Sequence, residues 1–469
     1  MKYISTRGNT KEIGFIDSVM MGLANDGGLL VPEKIPQVSE EKLQALSKLS
    51  YQELAYEIIS YYTDGEIPEK DLKELIQKSY ATFRHQEVTP VKKVKDHMYV
   101  LELFHGPTFA FKDVALQFLG NLYSYIAKKT GETINILGAT SGDTGASAIE
   151  GVRGKEGIRI CILHPHGKVS KVQELQMTTV NDETVLNLAI KGTFDDGQRI
   201  IKEIFSDLEF KNKYHLRAIN SINFARILAQ TVYYFYAYFQ VAGETGAKTV
   251  NFSVPTGNFG DIFAGFLAKK MGLPVGKLIV ATNENNILER FIKEGIYEPG
   301  EFHSTYSPSM DIQVASNFER YLYYLLHEDS KAVSDVMNQF KTEGKIMINE
   351  EQLRQVNEDF AAYGVAGDEC LQTIKKYYDE NDYLLDPHTS CGVAAFEHCN
   401  DAGEVCVTLS TAHPAKFNES IALCDIVQTY PELIKELFDK PQYLEVVEAN
   451  NQEISQKLKK HFSSVRQSI

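Results

Sequence analysis

The chain has 469 residues, of which 43% are hydrophobic and 24% are charged. This is an average globular composition, and it argues against the disordered, collagen-like and membrane-embedded classes. The formal net charge of −15 repels nucleic-acid phosphates and anionic lipids, so we expect neither nucleic acid nor a membrane as a partner.

The N-terminus and the cysteines favour a soluble, cytoplasmic protein. Residues 1–9 lack the apolar core of a secretory signal, and no run of about 18 apolar residues occurs. The six cysteines form no C-x-x-C pair, so we expect neither a metal site nor a disulfide framework.

Residues 1–90 are predicted to form a helical N-terminal domain. Apolar residues recur at helical spacing from Leu54 to Tyr62 and from Leu72 to Tyr80. Pro68 is expected in the first turn of the second helix, where its missing N–H group costs nothing.

From about residue 98, short apolar runs alternate with helical stretches such as 225–241. The predicted strands are 100–104, 134–137, 158–163, 185–190, 250–254, 278–281 and 405–409. This alternation predicts an α/β fold with parallel sheets and crossover helices on both faces. Ligands bind such folds at the carboxyl ends of the strands, which is where functional motifs are expected.

The segment 328–383 is charged and helical in pattern, with no convincing strand. It predicts a helical insertion at 328–384, and a plain run of surface helices is an equal alternative. The expected organisation is a helical domain (1–90), an α/β body (91–327) with a smaller subdomain at about 113–220, the insertion, and the C-terminal part of the body (385–469).

A lysine follows the first of these strands. Lys112 lies between Phe111 and Asp113 at the start of a helical pattern. Aromatic neighbours and a helix N-terminus both favour an uncharged amine, which can form a Schiff base. A solvated lysine paired with Asp113 is the alternative.

Small and hydroxyl-bearing residues follow the strand 134–137. In segment 140–147 the backbone N–H groups can approach an anion, and Thr140, Ser141 and Thr144 add hydroxyl donors. The absence of a Gly-Lys-Ser/Thr ending excludes a P-loop nucleotide site. The segment is suited to a carboxylate or a phosphate, and a helix N-cap role for Thr140 and Ser141 is equally compatible.

A glycine-rich turn follows the strand 250–254. Gly257 and Gly260 flank Asn258 and Phe259, so successive N–H groups can point toward one anion. A single turn of this kind is weak evidence, and its value comes from the other two turns.

In this order, the three turns resemble those of the fold-type-II pyridoxal-phosphate (PLP) enzymes, and within that group the threonine synthases. Further similarity lies in segments 192–196, 307–312, 316–320 and 409–417. The resemblance runs from residue 3 to about residue 417. It implies two parallel-sheet α/β subdomains plus the helical N-terminal domain, with PLP as cofactor.

The resemblance also assigns roles. Lys112 would hold PLP and serve as the catalytic base. The phosphate of PLP would be held by Gly257, Asn258, Phe259, Gly260 and Asp261, and Thr411 would face the pyridine nitrogen. The substrate-binding residues would be Thr140, Ser141, Asp143, Thr144, Asn317, His413 and Lys416. For Asn317, His413 and Lys416, a surface or structural role is an equal alternative.

The reaction implied is the conversion of O-phospho-L-homoserine and water to L-threonine and phosphate, by γ-elimination and β-hydration, as the last step of threonine biosynthesis. Asp143 supports this reading, because related sulfhydrylases usually have Asn at that position. Oligomeric state is left open, although the long N-terminal segment resembles a branch that is commonly monomeric.

Two other functions are compatible with parts of the pattern. A PLP-dependent serine/threonine dehydratase or phospho-amino-acid lyase would stop at elimination, but segment 307–311 and the long N-terminal segment argue against it. A non-catalytic sensor that binds the cofactor is disfavoured because Lys112 and all three turns are intact.

Overall fold

The computed structural model describes residues 1–463. The strands are β1 (Tyr3–Ser5), β2 (Leu30–Pro32), β3 (Val91–Lys95), β4 (Met98–Glu102), β5 (Ile134–Ala139), β6 (Ile158–Pro165), β7 (Val185–Lys191), β8 (Leu216–Ala218), β9 (Val250–Pro255), β10 (Val275–Thr282), β11 (Ile296–Tyr297), β12 (Ile346–Met347), β13 (Phe360–Gly364), β14 (Cys406–Ser410) and β15 (Glu445–Glu448).

The α-helices are α1 (Phe15–Met21), α2 (Glu40–Leu46), α3 (Tyr51–Thr63), α4 (Glu69–Tyr80), α5 (Lys112–Thr130), α6 (Asp143–Val152), α7 (Lys171–Thr178), α8 (Phe194–Ser206), α9 (Leu208–Lys213), α10 (Phe224–Thr245), α11 (Gly260–Lys270), α12 (Ile287–Glu294), α13 (Phe318–Leu325), α14 (Ser330–Glu343), α15 (Glu350–Asp359), α16 (Gly367–Asn381), α17 (Pro387–Cys399), α18 (Asn418–Ala422), α19 (Glu432–Lys435) and α20 (Asn451–Ser463). Short 3-10 turns lie at Pro308–Met310, Pro414–Phe417 and Glu436–Asp439. Within residues 1–463, no helix combines the length and the apolar character that a membrane span requires.

The chain divides into two compact units. The first comprises Met1–Phe111 and Ser221–Gln428, and the second comprises Lys112–Asn220 and the chain from Thr429 onward. The boundaries predicted at residues 90, 327 and 384 stay predictions.

The first unit is built on a six-stranded sheet with the strand order β13-β10-β9-β14-β4-β3. All neighbouring strands are parallel except the edge pair β3 and β4. The central strands are buried along their whole length, as their mainly apolar sequences predict. Because β9 and β14 are adjacent, their carboxyl ends bring Thr256 and Thr411 to the same edge of the sheet.

One strand of this sheet contradicts the sequence analysis. β13 lies inside 328–383, where no strand is expected, and it pairs with β10 at the sheet edge. Phe360 and Ala362 are buried in it, but the segment follows α15 without a turn residue and contains two alanines, which favour helix. The prediction of a segment without strands is therefore wrong.

The N-terminal region is helical, as predicted, with a small antiparallel pair β1–β2 that the sequence did not indicate. α3 begins at a capping box formed by Ser50 and Glu53. The Tyr51 ring packs edge-on against Tyr80 of α4 and Tyr236 of α10. Pro68 is the N-cap of α4 rather than a first-turn residue.

The second unit is built on an all-parallel five-stranded sheet with the order β15-β7-β6-β5-β8. Strands β5, β6 and β7 were predicted. β8 was not, because it has three residues, and β15 was not, because it is largely exposed. Gly120 of α5 packs directly on the backbone of Gly151 of α6, where an added Cβ would overlap the carbonyl oxygen. These glycines allow α5, which begins at Lys112, to pack closely against α6.

Candidate active site

The turn after β9 forms an anion-binding loop at the start of α11. Among the described residues, the N–H groups of Asn258, Phe259 and Gly260 donate to no backbone acceptor, and no side chain caps the helix. Phe259 has a positive φ of 63°, which turns successive N–H groups to one side. Burial of its ring against Phe318 and Phe360 offsets the backbone strain, which costs about 1–3 kcal/mol. The geometry is suited to a phosphate group.

Asn317 is engaged in holding this loop. Its backbone N–H and its Nδ2 both donate to the carbonyl oxygen of Asn258, at 3.0 and 3.2 Å. Its Oδ1 accepts a 2.6 Å bond from Arg320. The Arg320 guanidinium is buried and donates to the carbonyl of Leu30, and burial lowers its pKa to about 9. The contacts therefore support the structural alternative for Asn317.

The carboxylate of Asp261 points away from the loop. Its Oδ1 accepts from the hydroxyls of Tyr233 (2.6 Å) and Tyr234 (3.0 Å) of α10. Burial raises its pKa to about 7, an effect that the two hydroxyls oppose. Asp261 can therefore contribute its backbone N–H group to an anion, while its side chain ties α11 to α10.

The 3-10 turn Pro308–Met310 packs against the loop. A Cβ added to Gly257 would lie 2.8 Å from the carbonyl oxygen of Ser309, so only glycine allows this approach. The turn is held by Asp311, which accepts from Asn283 Nδ2 at 2.8 Å and from the Thr305 hydroxyl at 2.6 Å. These contacts give a structural reason for the motif at 307–312.

The segment after β14 pairs with the residues that precede Lys112. Phe111 donates its N–H to the carbonyl of Thr411 at 2.8 Å, and His413 donates its N–H to the carbonyl of Phe109 at 3.0 Å. Thr411 is buried. The backbone that leads into Lys112 is therefore fixed to the residue predicted to face the pyridine nitrogen.

His413 is the N-cap of the 3-10 turn that follows, and Lys416 lies within that turn. His413 Nδ1 accepts from the N–H of Ala415 at 3.1 Å, which leaves the ring proton of the neutral form on Nε2. Burial, aided by Arg84 and His105, lowers its pKa to about 4, so the ring is neutral at pH 7. Lys416 is 1% exposed and its Nζ donates to the carbonyl of Thr108 at 2.8 Å.

In the second unit, the loop after β5 is shaped by Thr140. Its hydroxyl accepts from the N–H groups of Gly142 (3.0 Å) and Gly145 (2.9 Å). Asp143 is buried and accepts from Gln173 Nε2 at 2.9 Å. Ser141 is exposed and Thr144 is half-buried. The Ser141 and Thr144 side chains are therefore the accessible donors of this loop, and Thr140 and Asp143 set its shape.

The sequence analysis missed three supporting residues. Arg84 stacks on the Phe109 ring, 3.6 Å from its centroid, and donates to the carbonyl of Phe104 at 2.9 Å. His388 contacts the 3-10 turn near Gly257 by accepting the N–H of Ser309, and Asp386 bonds to the other ring nitrogen of His388. The Asp-Pro pair at 386–387 is a helix start signal that could have located α17, but no local pattern predicts its distant contacts.

The residues of the first unit fit PLP. The N–H groups at 258–260 are suited to bind the phosphate of PLP. The buried Thr411 hydroxyl can accept a hydrogen bond from the pyridine nitrogen or donate one to it. Lys112, one residue beyond Phe111, has the primary amine that the aldehyde carbon of PLP requires.

Comparison with known proteins gives matches along most of the chain. Three family models match: "Threonine synthase N terminus" at residues 2–80, "Pyridoxal-phosphate dependent enzyme" at 83–339 and "Threonine synthase, C-terminal" at 389–458. The threonine synthase of Saccharomyces cerevisiae is 49% identical over 452 residues, covering 89% of this chain and 88% of its own. The threonine synthase of Schizosaccharomyces pombe is 47% identical over 457 residues, covering 90% of this chain and 89% of its own.

Solved structures agree with the sequence matches. The crystal structure of PLP-bound threonine synthase from Brucella melitensis has a TM-score of 0.96 and 42% identity, and it covers 99% of this chain and 100% of its own. The resemblance and the fold class inferred from sequence are thereby confirmed. The chain belongs to the threonine synthase family of pyridoxal-phosphate-dependent enzymes.

Proposed function

We propose that this chain converts O-phospho-L-homoserine and water to L-threonine and phosphate, with PLP as cofactor. The observation that carries the proposal is a likeness to threonine synthases that spans about nine-tenths of the chain. The matched pyridoxal-phosphate enzyme model, at residues 83–339, contains Lys112 and all three turns.

Within this proposal, Lys112 binds the cofactor, the N–H groups of residues 257–261 hold its phosphate, and the Thr411 hydroxyl faces its pyridine nitrogen. PLP, when bound, supplies an electron sink for negative charge at the α and β carbons of the substrate. A hydroxyl at the pyridine nitrogen leaves that nitrogen largely unprotonated, so the sink depends on accurate positioning by the chain.

Lys112 performs the proton transfers. Its Nζ becomes a free amine when the substrate amine takes its place, accepts the proton from Cα, gives it up to solvent, and then accepts a proton from Cβ. The γ-phosphate leaves and takes up one proton from solvent, the proton from Cβ is returned to Cγ, and water adds with its hydroxyl at Cβ and its proton at Cα. The hydrogen bond from Phe111 to Thr411 limits the movement of the backbone from which the lysine extends.

The hydroxyls of Ser141 and Thr144, with the N–H groups at the start of α6, bind the α-carboxylate of the substrate. Thr140 and Asp143 keep the loop in shape through their bonds to Gly142, Gly145 and Gln173. His413, whose Nδ1 accepts the N–H of Ala415, contributes a hydrogen bond from Nε2 to an oxygen of the substrate phosphate.

The proposal is tested first by the cofactor's visible absorbance. The chain contains no Trp, so the yellow band of lysine-bound PLP is measured against a tyrosine background. We expect the purified chain to show this band, and Lys112→Ala to lack it. A wild-type chain that stays colourless after PLP is added would contradict the proposal.

The product separates this function from a dehydratase or phospho-amino-acid lyase. Threonine and phosphate from O-phospho-L-homoserine support the synthase, whereas 2-oxobutyrate without threonine supports a lyase that stops at elimination. We favour the synthase because relatives that match about nine-tenths of the chain are threonine synthases.

We also infer that the chain acts in the cytoplasm, as a monomer and without nucleic acid. The cytoplasmic location rests on the similarity to threonine synthases, the monomeric state on the long N-terminal segment, and the absence of a nucleic-acid partner on the net charge of −15. Light scattering is expected to give a mass near 52.8 kDa, and a dimer mass would contradict the monomer.

A further inference from the structure

We propose that Asp386, His388 and Thr389, at the start of α17, are positioning residues for PLP that act on both ends of the cofactor. Through Ser309 they fix the loop that holds the phosphate, and through Ser410 they fix the strand end that carries Thr411. This inference rests on the proposed function and extends it to residues that do not themselves contact PLP.

Asp386 is fully buried and serves as more than a helix cap. Its carboxylate accepts from the backbone N–H groups of His388 (2.9 Å) and Thr389 (3.1 Å), which would suffice to cap α17. It also accepts from His388 Nδ1 at 2.8 Å and from the Thr389 hydroxyl. These two extra bonds fix the orientation of both side chains.

The bond to Asp386 determines what His388 can do. Because Nδ1 donates to the carboxylate, the neutral ring carries its proton there and Nε2 is an acceptor. Nε2 accepts the N–H of Ser309 at 3.2 Å. The carbonyl of the same Ser309 lies 2.8 Å from the position of a Cβ on Gly257. His388 therefore supports the turn against which the phosphate loop packs.

Thr389 has a similar role at the end of strand β14. Its hydroxyl donates its proton to Asp386 and so accepts from the Ser410 hydroxyl, whose oxygen is 3.2 Å away. Ser410 is the last residue of β14 and precedes Thr411, and its carbonyl accepts from the N–H of Leu103. Displacement of Ser410 would move the Thr411 hydroxyl.

The body of α17 is locked to the same two strands. A Cβ on Gly392 would lie 2.9 Å from Thr408 Cγ2 of β14 and 3.2 Å from the Pro255 ring of β9. The Ser253 hydroxyl of β9 also donates to the carbonyl of Gly392 at 2.6 Å. Helix α17 therefore holds both β9 and β14 in position through direct packing contacts.

The test compares the affinities for PLP and for pyridoxal, which lacks the phosphate, in variants of the full-length chain. His388→Asn removes the acceptor for the Ser309 N–H, because the shorter side chain ends at the position of Nδ1. His388→Gln restores an acceptor at the reach of Nε2. His398→Asn is the control, since His398 lies at the far end of α17, half-exposed, and bonds to Glu369 on the surface.

We expect His388→Asn to bind PLP about tenfold more weakly, the effect of losing one buried hydrogen bond, with little change in affinity for pyridoxal. His388→Gln should recover most of the loss, and His398→Asn should bind both like the wild type. The phosphorus NMR shift of bound PLP should change in His388→Asn alone.

A second variant keeps the inference falsifiable if His388→Asn does not fold. Thr389→Val has nearly the same shape and removes the Ser410 contact, and it should weaken PLP and pyridoxal alike because it acts at the ring end. Equal losses of affinity for both ligands in His388→Asn, or wild-type affinity in Thr389→Val, would overturn this inference and leave the proposed function standing. A wild-type chain that fails to bind PLP would overturn the proposed function with it.

Discussion

Replacing Gly257 by alanine tests whether the close approach of Ser309 shapes the phosphate loop. The added Cβ would lie 2.8 Å from the Ser309 carbonyl oxygen and 3.4 Å from Met310 Cα. Real Cβ atoms essentially never approach another atom closer than 3.0 Å, and the Ser309 oxygen is a backbone atom, so the turn or the loop must shift.

The size of the effect follows from the cost of overpacking. Forcing one extra methyl group into a packed backbone contact costs about 1–3 kcal/mol. If the loop moves rather than the turn, this cost appears as a loss of PLP affinity of about 5- to 150-fold. If the turn moves, it appears as a lower stability of the protein without cofactor.

PLP affinity is measured by titration followed by absorbance, and the free energy of unfolding is measured by urea denaturation of the protein without cofactor. Gly243→Ala is the control, because Gly243 lies in α10 and a Cβ there meets no atom within 4 Å. It should raise the free energy of unfolding by about 0.5–1 kcal/mol and leave PLP affinity unchanged. Wild-type affinity and stability in Gly257→Ala would refute the reasoning.

Three further predictions concern packing and pH. Gly120→Ala should lower stability by about 3 kcal/mol or more, because the methyl group meets the backbone of Gly151, and urea unfolding measures the loss. The pKa of His413 is lowered from 6.5 to about 4, so the unfolded chain gains a proton that the folded protein does not. The free energy of unfolding should therefore fall by about 3 kcal/mol between pH 6.5 and 4 on this account, and His413→Asn should remove that part of the slope. The pH dependence caused by Asp261 has the opposite sign, since its pKa is raised from 3.8 to about 7. The free energy of unfolding should fall by about 4 kcal/mol as the pH rises through that range, and Asp261→Asn should flatten this part of the stability profile. A variant whose pH profile matches the wild type would contradict the assignment for that residue.

The fold could be predicted where local pattern and tertiary environment agree. β5, β6, β9 and β14 are short, mainly apolar runs that end near turn residues, which is close to the pattern of a strand buried on both faces. β13 could not be found, because its alanines favour helix and pairing with β10 overrides that preference. β15 could not be found because most of its side chains are exposed and its pairing partner β7 is far away in sequence.

The loops of the site could be predicted, but not the roles of their side chains. The glycines around Asn258 and the hydroxyls around Thr140 mark anion-binding backbone through local composition alone. Whether a side chain points to the ligand or into the protein depends on distant partners. Asp261 meets Tyr233, Asn317 meets Asn258, and Ser309 meets His388. No local spacing in the sequence indicates these partners.

The most direct test of the central claim is a single reaction of the PLP-loaded wild-type chain with O-phospho-L-homoserine. We expect L-threonine and phosphate in equal amounts, with the turnover lost in Lys112→Ala. Formation of 2-oxobutyrate without threonine, or threonine formation that persists in Lys112→Ala, would contradict it.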